Sequence, residues 1–248
     1  MPDALRKDVE LLANPEKAKV LRGFFKTGPG QYGEGDVFLG IVVSASRKIA
    51  KKYADIALEE VLTLLKSKIH EEWLISLFIL ISKFEKGDIQ TKENIFRLYL
   101  KHTAFINNWD LIDLSAYKIV GAYLENRPKK ILYKLARSES LWERRISIIA
   151  RFHFIKEGKY EDTFAIVRIL LRDSEDLIHK AAGWMLREVG KRCSEEAEEV
   201  FLRKHLEEIP RTMLRYAIER FGSEKRRQYL TRLHSNQNRA DFFSRNDF

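Results

Sequence analysis

Apolar residues recur three and four positions apart along most of the chain, and this spacing predicts amphipathic helices. The pattern returns in successive segments, for example at Ile56, Val61, Leu64 and Leu65, and later at Phe164, Val167, Leu170 and Leu171. Short polar joints at residues 86–88, 126–128 and 157–159 separate some of these segments. Joints this short place sequential helices side by side as antiparallel neighbours.

Four predicted helix starts follow one another at nearly constant spacing. Asn108 and Ser140 can each cap a helix, and Glu143 would complete a capping box with Ser140. Ser174 can cap a third helix, and Pro210 suits the first position of a fourth. The steps between these positions are 32, 34 and 36 residues, which is typical of a repeated two-helix unit. We therefore predict an all-α fold, an α-solenoid of HEAT-like helical repeats.

Composition agrees with a helical, folded protein. Only 12 Gly and 5 Pro occur among 248 residues, and the 45% hydrophobic content is high enough to build a core. The longest apolar run, Trp73 to Ile81, is far shorter than the roughly 20 residues that span a bilayer. The charged N-terminal segment lacks the apolar stretch of an export signal, and the single Cys193 cannot form an internal disulfide. We expect a cytoplasmic protein with no membrane partner.

The charge balance favours an acidic partner. The chain has 45 Lys and Arg against 36 Asp and Glu, a net charge of +9, and such an excess is typical of nucleic-acid binding. Basic residues recur in the predicted second helices of the repeats: Lys118, Arg144, Arg145, Arg151, Lys180, Arg187, Lys191, Arg192, Arg211, Arg215 and Arg220. Each one alone is better explained as a solvated helix residue. Because equivalent helices line one surface of a solenoid, their recurrence predicts a concave basic groove.

Residues 27–40, TGPGQYGEGDVFLG, break the helical pattern. Gly28, Gly30 and Gly33 formally match G-x-G-x-x-G, but the preceding segment reads as a helix and no βαβ unit follows, so a dinucleotide site is not expected. We predict a folded loop that joins N-terminal helices to the solenoid. The domain would cover residues 1–232, and residues 233–248, which lack periodicity, would form a loosely ordered tail.

The segment NNWDLIDLSAYK carries the strongest candidate chemistry. Trp109 and Asp113 are four residues apart, so they share one helical face near the positive helix end, which favours an ionised Asp113. Trp184 occupies a comparable position in a later repeat. Taken singly, each of the three is explained more simply as a core or structural residue. The six histidines show no metal-ligand spacing, and no metal site or cofactor is expected.

Four segments together resemble the AlkD-like DNA alkylation repair family, a group of DNA glycosylases built from HEAT-like repeats. They are GQYGEGDVFLGIVVSASRKIAKKY (30–53), NNWDLID (107–113), LWERRISII (141–149) and HKAAGWMLREVGKR (179–192). The set of W-D-x-x-D, W-x-x-R and G-W-x-L-R-E is fairly specific, although no single motif is decisive. The resemblance implies a monofunctional hydrolase that excises N3-methyladenine and N7-methylguanine from duplex DNA in base excision repair, with no lyase step. It also implies that the base need not enter a closed pocket.

The resemblance further implies roles for individual residues. Asp113 would be the essential carboxylate, with Trp109, Trp184 and Arg145 as the other catalytic residues. Arg144 adjoins Arg145, so either arginine could be the family's. The DNA-binding residues would be Tyr32, Arg47, Arg144, Lys180, Arg187 and Arg215. The expected partner is double-stranded DNA with alkylated bases, and we expect a monomer without a small-molecule cofactor.

Two other interpretations remain open. A non-catalytic solenoid that binds DNA or protein would keep the basic groove and use Asp113 structurally. A glycosylase for bulkier adducts would use loop 27–40 to select its lesion. An assay for released bases separates the first of these from an alkylpurine glycosylase.

Overall fold

The computed structural model describes residues 2–231, and the predicted tail at 233–248 lies outside them. Fourteen α-helices and a further helical segment at residues 223–231 account for most of this range, and the only β-type pairing within it is an isolated parallel bridge between Val37 and Ile69. The predicted all-α class is confirmed. Within residues 2–231, no helix is both long and apolar enough to cross a membrane. The chain divides into two compact units, the first ending at Asn126 and the second beginning at Arg127.

The first unit is built around one long buried helix. Its helices are α1 (Pro2–Glu10), α2 (Pro15–Phe24), α3 (Val43–Lys52), α4 (Leu58–Leu65), α5 (His70–Lys86), α6 (Ile89–Lys101) and α7 (Trp109–Ala116). Helix α5 packs against α3, α4, α6 and α7. Contact on so many sides explains why α5 contains the longest apolar run of the sequence. One turn of π-helix, Tyr117–Gly121, continues directly from α7.

The second unit repeats a helical motif at a constant step. Its helices are α8 (Lys130–Leu135), α9 (Leu141–Ile149), α10 (Arg151–Lys156), α11 (Glu161–Leu170), α12 (Asp176–Arg192), α13 (Glu195–Lys204) and α14 (Arg211–Ala217), and residues 223–231 form a further helix. Helix α12 packs against both α9 and α14. These three helices begin at 141, 176 and 211, so each step is 35 residues. The predicted helical repeat is confirmed in this unit.

A glycine allows the closest of these helix contacts. A Cβ atom at Gly183 of α12 would lie 2.3 Å from the carbonyl oxygen of Met213 on α14. Any larger residue would push the two helices apart, because packed interiors have no room for an added carbon. The glycine of the G-W-x-L-R-E motif is therefore explained by packing alone.

The predicted helix starts are partly correct. The side chain of Asn108 caps α7, and Ser140 caps α9 by accepting a hydrogen bond from the Glu143 N–H. The prediction for Ser174 is wrong: α12 begins at Asp176, and the carboxylate of Asp173 accepts the N–H of Glu175 before it. Pro210 precedes its helix by one residue instead of occupying the first position.

Residues 27–40 form successive turns that are anchored on α5. The carboxylate of Glu71 accepts hydrogen bonds from the N–H groups of Leu39, Gly40 and Ile41 at 2.8–3.1 Å. Gly40 has a φ of +84°, and a Cβ there would lie 2.1 Å from the carbonyl oxygen of Asn14. Only glycine fits this position, because both the positive φ and the close approach exclude a side chain. The end of the loop is thus fixed against the N-terminal helices and α5.

Candidate functional site

Helix α7 presents the two strongest candidate residues of the first unit. Asn108 caps it by accepting the Trp109 N–H at 2.8 Å, so Trp109 is the first helical residue and Asp113 follows one turn later. Both side chains are half-buried. Both line a pocket of about 560 Å³ that is bounded by α2, α3, α5, α7 and the end of loop 27–40. We call this the α7 pocket. The structure therefore brings Trp109 and Asp113 to one cavity, as their spacing predicts.

Aromatic side chains from α2 and the loop hold Trp109 in place. Its ring stacks on Phe25 with 5.2 Å between ring centroids and meets Phe24 edge-on at 5.7 Å. The indole N–H donates to the hydroxyl of Tyr32 at 3.2 Å. Such contacts fix the orientation of the indole. Tyr32, predicted to bind DNA, is therefore placed against a predicted catalytic residue.

A buried histidine joins three elements behind Trp109. The imidazole Nε2 of His70 lies 3.0 Å from Asp110 Oδ2, and its Nδ1 lies 3.4 Å from Asp36 Oδ2. The side-chain amide of Asn108 donates to the same Asp36 oxygen at 2.9 Å. His70, Asp36 and Asp110 are at most 8% exposed. We call these four residues the His70 cluster; it links the loop, α5 and α7.

The cluster holds His70 as a cation. Burial lowers the pKa of His70, but the hydrogen bond and charge of Asp110, followed by those of Asp36, outweigh burial and raise the pKa to about 9. Both ring nitrogens then donate to carboxylates. One cation between two carboxylates leaves the His70 cluster with a net negative charge at neutral pH.

The His70 cluster is not among the residues predicted from the sequence. The available signal was the polar run His70-Glu71-Glu72 at the start of the most apolar helix in the chain. All three residues are only 2% exposed. Because buried polar groups need partners, this run predicts partners elsewhere in the sequence. It does not identify those partners, which are 34 and 40 residues away.

Helix α9 of the second unit carries the two candidate arginines in different surroundings. Arg145 is only 4% exposed, and its guanidinium donates to the carbonyl oxygen of Leu177 on α12. The guanidinium of Arg144 pairs with Asp173 at 2.6 Å and also donates to the carbonyl oxygen of Ser138. Both arginines thus connect α9 to neighbouring parts of this unit. Contact of either one with DNA stays a prediction.

Trp184 lies on α12, the helix that Arg145 contacts. Its indole N–H lies 3.3 Å from the carboxylate of Glu188, and its ring centroid is 5.8 Å from that of Phe152. Glu188 also pairs with Arg192 at 2.6 Å. The half-buried indole is therefore oriented by neighbours on its own helix and by α10.

The remaining candidate DNA contacts differ in how firmly they are paired. Lys180 forms an ion pair with Asp176 at 2.7 Å, and Arg187 forms one with Glu219. Arg215 is exposed on α14. In the first unit, Arg47 is exposed on α3 with its guanidinium 4.2 Å from the ring centroid of Phe78. Arg215 is therefore better placed than Arg187 to meet a phosphate without breaking an ion pair.

The functional groups that the candidate residues provide are carboxylates and aromatic rings. Within residues 2–231, no group of three His, Cys, Asp or Glu side chains could hold a metal ion. A half-buried carboxylate beside a fixed indole can stabilise positive charge that develops next to it.

Comparison with known proteins identifies the family. The chain matches the family model described as DNA alkylation repair enzyme over residues 5–221. It is also similar to a solved structure titled "Predicted DNA alkylation repair enzyme from Enterococcus faecalis", with a TM-score of 0.64 and 16% sequence identity over 85% of this chain and 97% of that one. That likeness shows a shared fold. No curated protein sequence matches. Because the family match spans most of the sequence, the resemblance inferred from the four segments is confirmed, and the chain belongs to the DNA alkylation repair enzyme family.

Proposed function

We propose that the protein is a DNA glycosylase that hydrolyses the N-glycosidic bond of cationic alkylated purines, N3-methyladenine and N7-methylguanine, in duplex DNA. The observation that carries this proposal is the placement of Asp113 and Trp109 together at the α7 pocket. Membership of the DNA alkylation repair enzyme family supports the substrate class. The expected product is free base and an abasic site, without strand cleavage.

Asp113 would act on the sugar instead of the base. An alkylated purine already carries a positive charge, so it leaves as a neutral base when the bond to C1′ breaks and takes the bonding electrons. The deoxyribose then develops positive charge, as in other glycosyl transfers. An ionised Asp113 stabilises that charge and accepts a proton from the water that adds to C1′. General-acid catalysis is not required.

Trp109 would contact the same nucleotide. Phe25 and Tyr32 hold its indole in one orientation, so little freedom is lost when a ligand packs against it. An indole face attracts a cation by about 0.5–2 kcal/mol. We assign Trp184 of the second unit a role in contacting DNA, and we assign Arg145 the role of positioning α12, which carries Trp184, through its hydrogen bond to Leu177.

Affinity for undamaged and damaged duplexes alike would come from exposed cations. Arg215 and Arg47 are exposed, and the side chain of Lys180, which pairs with Asp176, is 38% exposed. Contacts to phosphate carry no sequence information and weaken as salt concentration rises. We therefore expect binding to any duplex, with lesion selection arising at the site of chemistry.

The test is incubation of the protein with methylated duplex DNA, followed by chromatography of the free bases. We expect release of 7-methylguanine and 3-methyladenine by the wild type, and a loss of at least about tenfold for Asp113→Asn. Asp55→Asn, the same change at an exposed position of the first unit, serves as the control. If the wild type binds DNA but releases no base, the protein is a non-catalytic DNA-binding member of the family.

A further inference from the structure

Residues 32–36, the sequence YGEGD, lie within loop 27–40 and reach the start of α7 at two points. We call them the YGEGD segment. The hydroxyl of Tyr32 accepts the indole N–H of Trp109 at 3.2 Å, and the carboxylate of Asp36 accepts the side-chain amide of Asn108 at 2.9 Å. The two ends of one short segment therefore contact two consecutive residues at the start of the helix.

Asn108 connects the second of these contacts to Trp109. The residue is fully buried. Its amide nitrogen donates to Asp36, and its amide oxygen accepts the backbone N–H of Trp109 at 2.8 Å. A side-chain amide has distinct donor and acceptor ends, and both ends are bound here, so turning it would break both bonds. The position of Asp36 therefore sets the orientation of the cap at which α7 begins.

Asp36 itself is held against the start of α5. Its Oδ2 lies 3.4 Å from Nδ1 of His70, and the imidazolium compensates its buried charge. The backbone next to it is paired as well. The N–H of Val37 donates to the carbonyl oxygen of Lys68 at 3.2 Å, and the N–H of His70 donates to the carbonyl oxygen of Val37 at 2.9 Å. Contacts with the start of α5 thus fix Asp36 in addition to its bond with Asn108.

The middle of the segment packs on the end of α2. A Cβ atom at Gly33 would lie 2.4 Å from the carbonyl oxygen of Phe25, so the backbone lies too close to α2 for a side chain. The N–H of Gly33 also donates to the carbonyl oxygen of Lys26 at 3.2 Å. Phe25 is the residue on which Trp109 stacks. The YGEGD segment and the indole therefore pack on the same part of the protein.

We propose that the YGEGD segment positions the face of α7 that carries Trp109 and Asp113. Asp36, acting through Asn108, fixes the backbone at which the helix begins, and Tyr32 fixes the indole. These three are positioning residues, since the reacting nucleotide would meet Trp109 and Asp113 instead. The inference rests on the proposed function. It assigns the Tyr32 hydroxyl to Trp109, in place of the DNA contact that the family resemblance implies.

Removing the Tyr32 hydroxyl tests its contact with the indole. Tyr32→Phe keeps the ring, and Tyr123→Phe makes the same change at another half-buried tyrosine of the first unit, which stacks on Phe96. We expect Tyr32→Phe to release 7-methylguanine at least about threefold more slowly than Tyr123→Phe at saturating protein, because one hydrogen bond that orients Trp109 is lost. Duplex affinity should be unchanged. Weaker duplex binding with a wild-type rate at saturation would assign the hydroxyl to DNA and overturn its positioning role.

A second background shows whether Tyr32 acts through Trp109. Trp109→Phe removes the indole N–H that the Tyr32 hydroxyl accepts. Adding Tyr32→Phe to it should slow base release no further, because the partner is already absent. A further loss of about threefold in the Trp109→Phe background would show that Tyr32 acts elsewhere and would refute the contact's role.

Asn108→Ser tests the contact with Asp36. Serine caps helices as well as asparagine does, but its side chain is too short to bind both α7 and Asp36. Asn14→Ser is the matched control, since Asn14 caps α2 by accepting the N–H of Lys17 at 2.9 Å. We expect Asn108→Ser to release 7-methylguanine at least about threefold more slowly than Asn14→Ser, with similar duplex affinity. Equal rates would show that Asn108 is a helix cap only and would exclude a role for Asp36.

The indole resonance of Trp109 tests the positioning without DNA. In a proton–nitrogen NMR spectrum, its N–H is the cross-peak that Trp109→Phe removes. The cross-peak should move in Tyr32→Phe and Asn108→Ser and stay in place in Tyr123→Phe and Asn14→Ser. An unmoved cross-peak in both test variants would overturn the inference and leave the proposed glycosylase activity standing. If the wild type releases no base, the glycosylase proposal fails, and the cross-peak alone decides whether the segment positions Trp109.

Discussion

The two units of the chain differ sharply in charge. Residues 1–126 contain 18 Lys and Arg against 17 Asp and Glu, a net charge of +1, whereas residues 127–248 contain 27 against 19, a net charge of +8. The nearly neutral first unit holds the α7 pocket with Asp113 and Trp109. Under the proposed function, the first unit would provide the carboxylate chemistry and the second would provide most of the attraction to DNA.

Two buried ionisable groups, one in each unit, are stabilised in different ways. In the first, His70 is paired with two carboxylates. In the second, Glu198 is 2% exposed, and its Oε1 lacks a hydrogen-bond partner in the described residues. Burial, followed by the charge of Glu195, raises the pKa of Glu198 to about 8. The charge of His70 is thus compensated by its two partners, whereas Glu198 avoids a buried charge by keeping its proton.

The largest effect on stability is expected at the His70 cluster. His70→Ala leaves two buried carboxylates without their shared cation, which typically costs about 3–5 kcal/mol. Urea denaturation at pH 6.5 measures the loss. His102→Ala, at the half-buried end of α6, should cost far less. If both variants lost the same free energy of unfolding, the His70 cluster would stabilise the fold no more than a half-buried histidine does.

The same cluster should make stability fall with rising pH. His70 has a folded-state pKa of about 9 against an ordinary 6.5, so its contribution of about 3 kcal/mol is fully present below pH 6.5 and is lost as pH rises through 9. The free energy of unfolding should be measured in a Glu198→Gln background, because the contribution of Glu198 to stability also falls as pH rises over this range. Adding His70→Ala should abolish the remaining decline between pH 6.5 and 9, and an unchanged decline would exclude His70 as its source.

A smaller effect, an increase in the free energy of unfolding, is expected from Glu198→Gln in the second unit. The pKa of Glu198 is raised from 4.5 to about 8, so this group's contribution to stability is lost as pH rises from about 4.5 through 8. The substitution should therefore raise the free energy of unfolding by about 1–2 kcal/mol at pH 8.5 and have little effect at pH 5. Glu196→Gln, on the exposed part of the same helix, should change neither value.

The smallest expected effects concern DNA affinity. Arg215→Ala should weaken binding to all duplexes a few-fold and reduce the salt slope by about 1, because we expect this exposed cation to contact phosphate directly. Arg187→Ala should cost less, since Arg187 is already paired with Glu219. Filter binding over a range of salt concentrations compares the two. A loss confined to lesion-containing DNA would contradict a phosphate role for either arginine.

Much of the fold follows from local sequence. Spacing of apolar residues and caps such as Asn108 and Ser140 predict the helices because these signals act within one turn. Ser174 shows the limit: it has the right chemistry for a cap, but Asp173 and Glu175 set the actual start of α12.

The site was predictable only where its residues share a helix. Trp109 and Asp113 lie one turn apart on α7, so their spacing alone places them together. Asp36 and His70 meet through folding of loop 27–40 onto α5, and no local pattern encodes that contact. Phe24 and Phe25, at the C-terminal end of α2, likewise carry no local signal of a role in the site, because that role depends on the tertiary neighbour Trp109.

In the proposed function, Asp113 supplies the chemistry, whereas other residues supply the affinity for DNA. The most direct measurement is the single-turnover rate of 7-methylguanine release at saturating protein for the wild type, Asp113→Asn and Arg215→Ala. We expect Asp113→Asn to be slower by at least about tenfold with near-normal duplex affinity, and Arg215→Ala to release base at the wild-type rate once saturated. A wild-type rate for Asp113→Asn would contradict a catalytic role for Asp113.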